Sequence, residues 1–114
     1  MTECLFCRIV SGEIPASIVK ENDELVAFSD INPQAPLHAL VIPRRHIATL
    51  NDLSAGDDAL VGRMVRFAGG IAADKGYAER GYRTVLNCNR DAGQSVFHIH
   101  LHLLAGRGLG WPPG

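Results

Sequence analysis

The stretch Val96-Phe97-His98-Ile99-His100-Leu101-His102-Leu103-Leu104 decides the fold. From His98 to Leu103 polar and apolar side chains alternate, the period of a strand whose successive side chains point to opposite faces. The pattern predicts a strand over 96–104, with His98, His100 and His102 on one face and Ile99, Leu101 and Leu103 turned into a core. Histidine is scarce, 5 residues in 114, and any polar residue would serve a solvated face. Three imidazoles in register therefore point to chemistry, either metal ligation or nucleophilic attack by a neutral ring. Same-face neighbours on a strand lie ~7 Å apart, so two can share one ion but a third reaches it poorly.

The loop before the strand weighs between the two. Asn87, Asn89, Arg90, Gly93, Gln94 and Ser95 place amide, guanidinium and hydroxyl donors beside the histidines. Gly93 would let backbone N–H groups approach an anion. Phosphate chemistry requires such donors for charge on non-bridging oxygens, and a redox metal site does not. Tyr82 to Asn87 reads as the strand pairing with 96–104, and Cys88 as a strand residue beside it.

Upstream, Leu60, Val61, Met64, Val65, Ala68, Ile71 and Ala72 recur at helical spacing behind Ser54 and Asp57, which resemble a capping box, and Gly76 is a stop. Gly69-Gly70 inside this helix implies close packing or local loosening. His38 to Ile42 is a strand ended by Pro43. Ser17 to Lys20 and Glu24 to Ser29 form a hairpin around Asn22-Asp23. Asp30 to Pro36, with two prolines, is a loop. Leu5 to Val10 is a short helix stopped by Ser11-Gly12. The order predicts an α+β fold, an antiparallel sheet with the long helix on one face.

A chain of 114 residues with 46% hydrophobic and 20% charged residues has the composition of one globular domain, 1–114. A net charge of -1 provides no basic field for nucleic acid or an acidic membrane surface. No apolar run approaches the ~18 residues of a membrane span. Met1-Thr2-Glu3-Cys4 opens no signal peptide, and three cysteines fit a reducing compartment. A cytoplasmic location is the expectation. Cys4-Leu5-Phe6-Cys7 has the spacing of a zinc knuckle, although a redox pair or two buried thiols would look the same.

Gly93-Gln94-Ser95-Val96-Phe97-His98-Ile99-His100-Leu101-His102-Leu103-Leu104-Ala105-Gly106-Arg107 resembles the histidine triad (HIT) superfamily. Asp30-Ile31-Asn32-Pro33-Gln34-Ala35-Pro36-Leu37-His38 and the ending Trp111-Pro112-Pro113-Gly114 resemble its Hint branch. The resemblance implies an HIT-like sheet of about five strands, with one long helix and a short N-terminal one. It also implies a homodimer that hydrolyses purine nucleoside phosphoramidates, AMP or GMP joined to an amine. By the same resemblance His100 is the nucleophile, His102 and Ser95 meet the phosphate or leaving group, and His38 orients His100. Asn87, Gly93, Gln94 and Val96 hold the phosphate and ribose side, Asp30 binds the ribose hydroxyls and Ile31 meets the base. Trp111 lies near the partner's site. Zinc-binding members use residues matching Cys4, Cys7, His46 and His98, which implies a closed structural zinc site. Dinucleoside polyphosphate hydrolysis or nucleotidyl transfer shares the covalent intermediate and is the nearest rival. A nucleotide-binding scaffold and a hydrolase with metal at the triad are the others.

Overall fold

The computed structural model describes residues 3–114; Met1 and Thr2, part of the N-terminal reading above, lie outside the described residues. Helix α1 (Leu5–Val10) is followed by strands β1 (Ile18–Glu21), β2 (Leu25–Ser29) and β3 (Leu37–Pro43). Helix α2 (Asp58–Asp74), β4 (Tyr82–Leu86) and β5 (Leu101–Ala105) complete the order. The five strands form one sheet in the order β1-β2-β3-β5-β4, and every pair is antiparallel. Expected and observed strands agree within a residue or so except at the histidine stretch.

Strand alternation divides the sheet into two buried faces. Leu25, Ala27, Ala39, Val41, Leu101 and Leu103 pack beneath α2, which contributes Leu60, Met64, Ala68, Ile71 and Ala72. These helical positions recur every three or four residues and form a single stripe. Val65, included in the expected stripe, is exposed. The opposite face carries Val26, Phe28, Leu40 and Ile42, covered by Phe6 of α1. His102 lies opposite Leu40 in the β3–β5 register, so the catalytic candidates share the α1 face.

The long helix begins after a 3-10 turn, Ala55–Asp57. The Asp57 carboxylate accepts the Ser54 backbone N–H at 2.9 Å and its hydroxyl at 3.2 Å, and it pairs with Arg45. These bonds satisfy groups that a helix start otherwise leaves unpaired. Gly69-Gly70 resolves as close packing within an unbroken helix: a Cβ on Gly69 would lie 2.9 Å from the Tyr82 hydroxyl.

The expected strand over 96–104 is corrected to 101–105. Residues 96–98 bend, and the ladder opens only at Leu101, opposite Val41. One step further the register would oppose His100 to Ile42, and then Ile99 to Pro43. Proline has no N–H to continue the ladder. The Ile99 N–H instead donates to the Ile47 carbonyl at 2.8 Å. Likewise β4 ends at Leu86, leaving Asn87 and Cys88 half-buried beyond the strand.

Gly106 closes β5 at φ 101°, and a Cβ there would fall 2.8 Å from Pro36. Gly106→Ala is expected to lower stability by roughly 2 kcal/mol or more, through left-handed strain plus a contact with a rigid ring. Gly69→Ala should stay within about 1 kcal/mol, because the Tyr82 hydroxyl can swing aside and alanine favours the helix. Urea unfolding of both variants tests the contrast.

Candidate functional site

Backbone groups set the roles of the histidines. A carbonyl only accepts and an amide N–H only donates, so each such contact fixes which ring nitrogen carries the proton. His100 Nδ1 lies 2.8 Å from the His98 carbonyl oxygen. Its proton is therefore on Nδ1, and in the neutral ring Nε2 keeps its lone pair. His98 Nε2 lies 2.7 Å from the Pro43 carbonyl, which leaves His98 Nδ1 bare in the neutral ring. The Gln34 N–H donates to His38 Nδ1 at 3.0 Å, so neutral His38 carries its proton on Nε2. That nitrogen faces His102 Nδ1 at 3.0 Å and Asp30 Oδ2 at 3.4 Å. With His38 donating to Nδ1, His102 holds its own proton on Nε2.

The resemblance assigned His38 to orient His100, whereas its hydrogen bond goes to His102. Register gives the reason: Leu40 opposes His102, so His38, two residues away on the same face, reaches it diagonally. His100 is steered by the His98 carbonyl and by Phe6, whose ring meets it edge-on at 5.1 Å. Phe6 was not singled out from sequence; its position inside the Cys-x-x-Cys motif was the available signal.

His100 and His102 line a cleft of about 250 Å³ with Asp30, Ile31, Ser95 and Val96. Ile31 is fully exposed beside it, an apolar surface for a flat ring. The other wall is Leu5, Phe6 and Ile9 of α1. Asp30 Oδ1 accepts the Asn32 N–H at 2.8 Å. Asn87 follows β4, and the β4–β5 register, continued by one step, sets it opposite His100.

Two expected ligands have other duties. Gln94 is buried: its amide donates to the Ala48 and Val96 carbonyls at 2.8 and 3.1 Å and accepts the Asn89 N–H at 2.8 Å. Those bonds make it a strut of the loop instead of a nucleotide ligand. The Gly93 N–H is already given to Arg90 at 2.9 Å, so this glycine serves the left-handed turn at φ 83°.

Burial lowers the pKa of His102 to about 4, helped by repulsion from His100 and His38 and opposed by Asp30. Burial likewise lowers His38, against the pull of Asp30. His98 is also lowered by burial, with the Pro43 carbonyl opposing.

Cys4, Cys7, His46 and His98 bring one donor atom each to a common point. His98 Nδ1 is 3.4 Å from Cys4 Sγ, 3.5 Å from Cys7 Sγ and 3.3 Å from His46 Nδ1. Cys7 Sγ is 3.3 Å from His46 Nδ1. A tetrahedral zinc ion has N–N and N–S edges of about 3.3–3.6 Å, from bond lengths near 2.0 and 2.3 Å. The two sulfurs and two nitrogens fit such an ion, and the Pro43 carbonyl fixes the ligating tautomer of His98 as second-sphere partners do. Asp30, His38 and His102 also converge, but there a shared proton accounts for the approach.

Residues 11–109 match the HIT domain family model. The chain belongs to the HIT family. It is 51% identical to the purine nucleoside phosphoramidase of Escherichia coli over 108 residues, covering 95% of this chain and 91% of that one. An HIT-like protein of Synechococcus elongatus is 49% identical, over 98% of this chain and 97% of its own. The crystal structure of an HIT family hydrolase from Legionella pneumophila superposes with a TM-score of 0.96 at 52% identity, covering 98% of this chain and all of that one. The chain is thus an HIT-family nucleotide hydrolase of the Hint-like branch. No helix among the described residues is long and apolar enough to cross a membrane.

Native His102 stays neutral down to about pH 4, whereas the unfolded residue protonates near 6.5. Its contribution to stability is therefore full above pH 6.5 and is lost as pH falls from 6.5 to 4. Melting temperatures across that range should fall less steeply for His102→Asn than for the wild type; parallel curves would contradict the shift.

Proposed function

We propose that the protein hydrolyses purine nucleoside phosphoramidates, of the AMP–amine or GMP–amine type, through a nucleotidyl-histidine intermediate. The observation that carries this reading is the 2.8 Å contact of His100 Nδ1 with the His98 carbonyl. It keeps the Nε2 lone pair on the wall of a cleft that also holds Asp30 and Ile31. The phosphoramidase named among the relatives supports the choice of a P–N bond over dinucleoside polyphosphates.

In the first step His100 Nε2 attacks phosphorus and the P–N bond breaks. The neutral His102 offers its Nε2–H as a hydrogen bond to the phosphate oxygens, where charge accumulates. Ser95, exposed at the cleft, passes the departing nitrogen a proton drawn from water, and the amine leaves neutral. The hydroxide equivalent that remains attacks phosphorus in the second step, releasing the nucleotide and restoring His100. Asp30 receives the ribose hydroxyls and Ile31 packs on the purine. Asn87 lies on the phosphate side, while Gly93, Gln94 and Val96 shape the loop behind it.

The Cys4, Cys7, His46 and His98 cluster is read as a structural zinc site that ties α1 to the segment before β5. Four protein donors leave no position for substrate. A homodimer is the expected assembly: β4 is an edge strand, and Trp111, 84% exposed, is available to a second copy. A cytoplasmic setting agrees with the cysteine chemistry of the metal cluster.

Two experiments test these readings. His100→Ala should lower release of AMP from an AMP–amine conjugate by about 10³-fold or more. Rapid quenching of the wild type should place the nucleotidyl adduct on His100 by mass spectrometry; an adduct elsewhere, or full activity in the variant, overturns the assignment. For the metal, the purified protein should contain one zinc per chain, and Cys7→Ser should lose it and lower the melting temperature by about 10 °C or more. Equal zinc content in the variant and wild type would refute the ligand set.

A further inference from the structure

We propose that Arg107, on the surface beyond β5, is a positioning residue that sets the direction of the hydrogen-bond chain ending at His102. This rests on the phosphoramidase reading for its consequence, though not for its geometry. The Arg107 guanidinium donates through Nε to the Gln34 carbonyl at 2.8 Å and through Nη1 to the Gly108 carbonyl at 2.9 Å. Gln34 is in the Asp30–Pro36 loop, and its N–H is the group that donates to His38 Nδ1. Arg107 thus holds one side of residue 34 while the other side fixes the His38 tautomer. Gly106 assists by letting Pro36 approach where a Cβ would leave only 2.8 Å.

The direction of the chain matters because an imidazole is asymmetric. With Gln34 N–H in place, neutral His38 carries its proton on Nε2 and gives it to His102 Nδ1. His102 then turns an N–H toward the phosphate. If the loop loosens and Gln34 withdraws, only the more distant Asp30 carboxylate, at 3.4 Å, still favours a proton on His38 Nε2, and His38 can carry its proton on Nδ1. His38 Nε2 then accepts from His102 Nδ1–H, and His102 presents a bare lone pair to an anion. The 3.0 Å contact between the rings survives either way, so ring positions alone do not report the change. A charged donor on a carbonyl is among the stronger hydrogen bonds, which suits a single surface residue to hold the loop.

Arg107→Met and Arg107→Lys test this. In the wild type, ¹⁵N spectra of the imidazoles at pH 7.5 should show His38 and His102 both protonated on Nε2. In Arg107→Met a substantial fraction of both should carry the proton on Nδ1, and kcat on an AMP–amine conjugate should fall about tenfold, less than the ~10²–10³-fold of a deleted donor. KM should change by less than about twofold. Arg107→Lys, which still reaches a carbonyl with one donor, should recover most of both signals. Unchanged tautomers in Arg107→Met overturn the proposal, and so does an unchanged kcat despite shifted tautomers. Absence of phosphoramidase turnover in the wild type, with its tautomers as stated, would count against the reaction and not against the geometry.

Discussion

The Pro43 carbonyl and the missing Pro43 N–H shape this molecule from opposite sides. The missing donor ends the β3–β5 ladder, so the chain leaves the sheet between His98 and His100 instead of running straight through. The carbonyl then accepts from His98 Nε2 at 2.7 Å, fixing that ring with Nδ1 toward Cys4, Cys7 and His46. Released from the ladder, the His98 carbonyl is available to His100 Nδ1. A regular strand would commit alternate carbonyls to neighbouring strands. The break at Pro43 therefore gives His98 and His100, two residues apart, different surroundings: the Cys4, Cys7 and His46 cluster for one and the cleft for the other.

The same break couples the two ends of the α1 face. Cys4 and Cys7 flank Leu5 and Phe6, and Phe6 packs on Phe28 at 5.3 Å and on His100 at 5.1 Å. The Cys and His cluster at the start of α1 thus also flanks the ring that packs on His100. A chain of this length has a modest core, and α1 has only six residues, too short to be stable alone. Its position depends on the sheet contacts and on the Cys and His donors.

The histidine face was legible in the sequence because strand alternation is a local rule, and it holds even where the ladder does not. The α2 stripe, both hairpins and the Asp57 cap were legible for the same reason. What was not legible depended on partners distant in the chain. The strand start required knowing that Ile99 would meet Pro43. Gln94 looked like a ligand because a glutamine in a polar loop gives no sign that Ala48, 46 residues away, will take its amide. His38 was matched to the wrong triad ring because only the β3–β5 register reveals which one lies on its diagonal. Asp30 and Ile31, just past β2, and Ser95 and Val96, in the segment before β5, line one cleft, a convergence that the two motifs implied.

The low pKa of His102 has a geometric source alongside burial. Its imidazolium form would carry protons on both nitrogens, and the one on Nδ1 would point at His38 Nε2–H across 3.0 Å. To accept it, His38 would have to move its own proton to Nδ1, against the Gln34 N–H. Protonation of His102 therefore costs a hydrogen bond in the loop as well as desolvation, and repulsion among rings 5.0–5.2 Å apart adds to it. The outcome suits the proposed reaction. There a neutral His102 would donate to phosphate without placing a positive charge beside the lone pair of His100, and the nitrogen proposed to attack would keep its electron density for phosphorus.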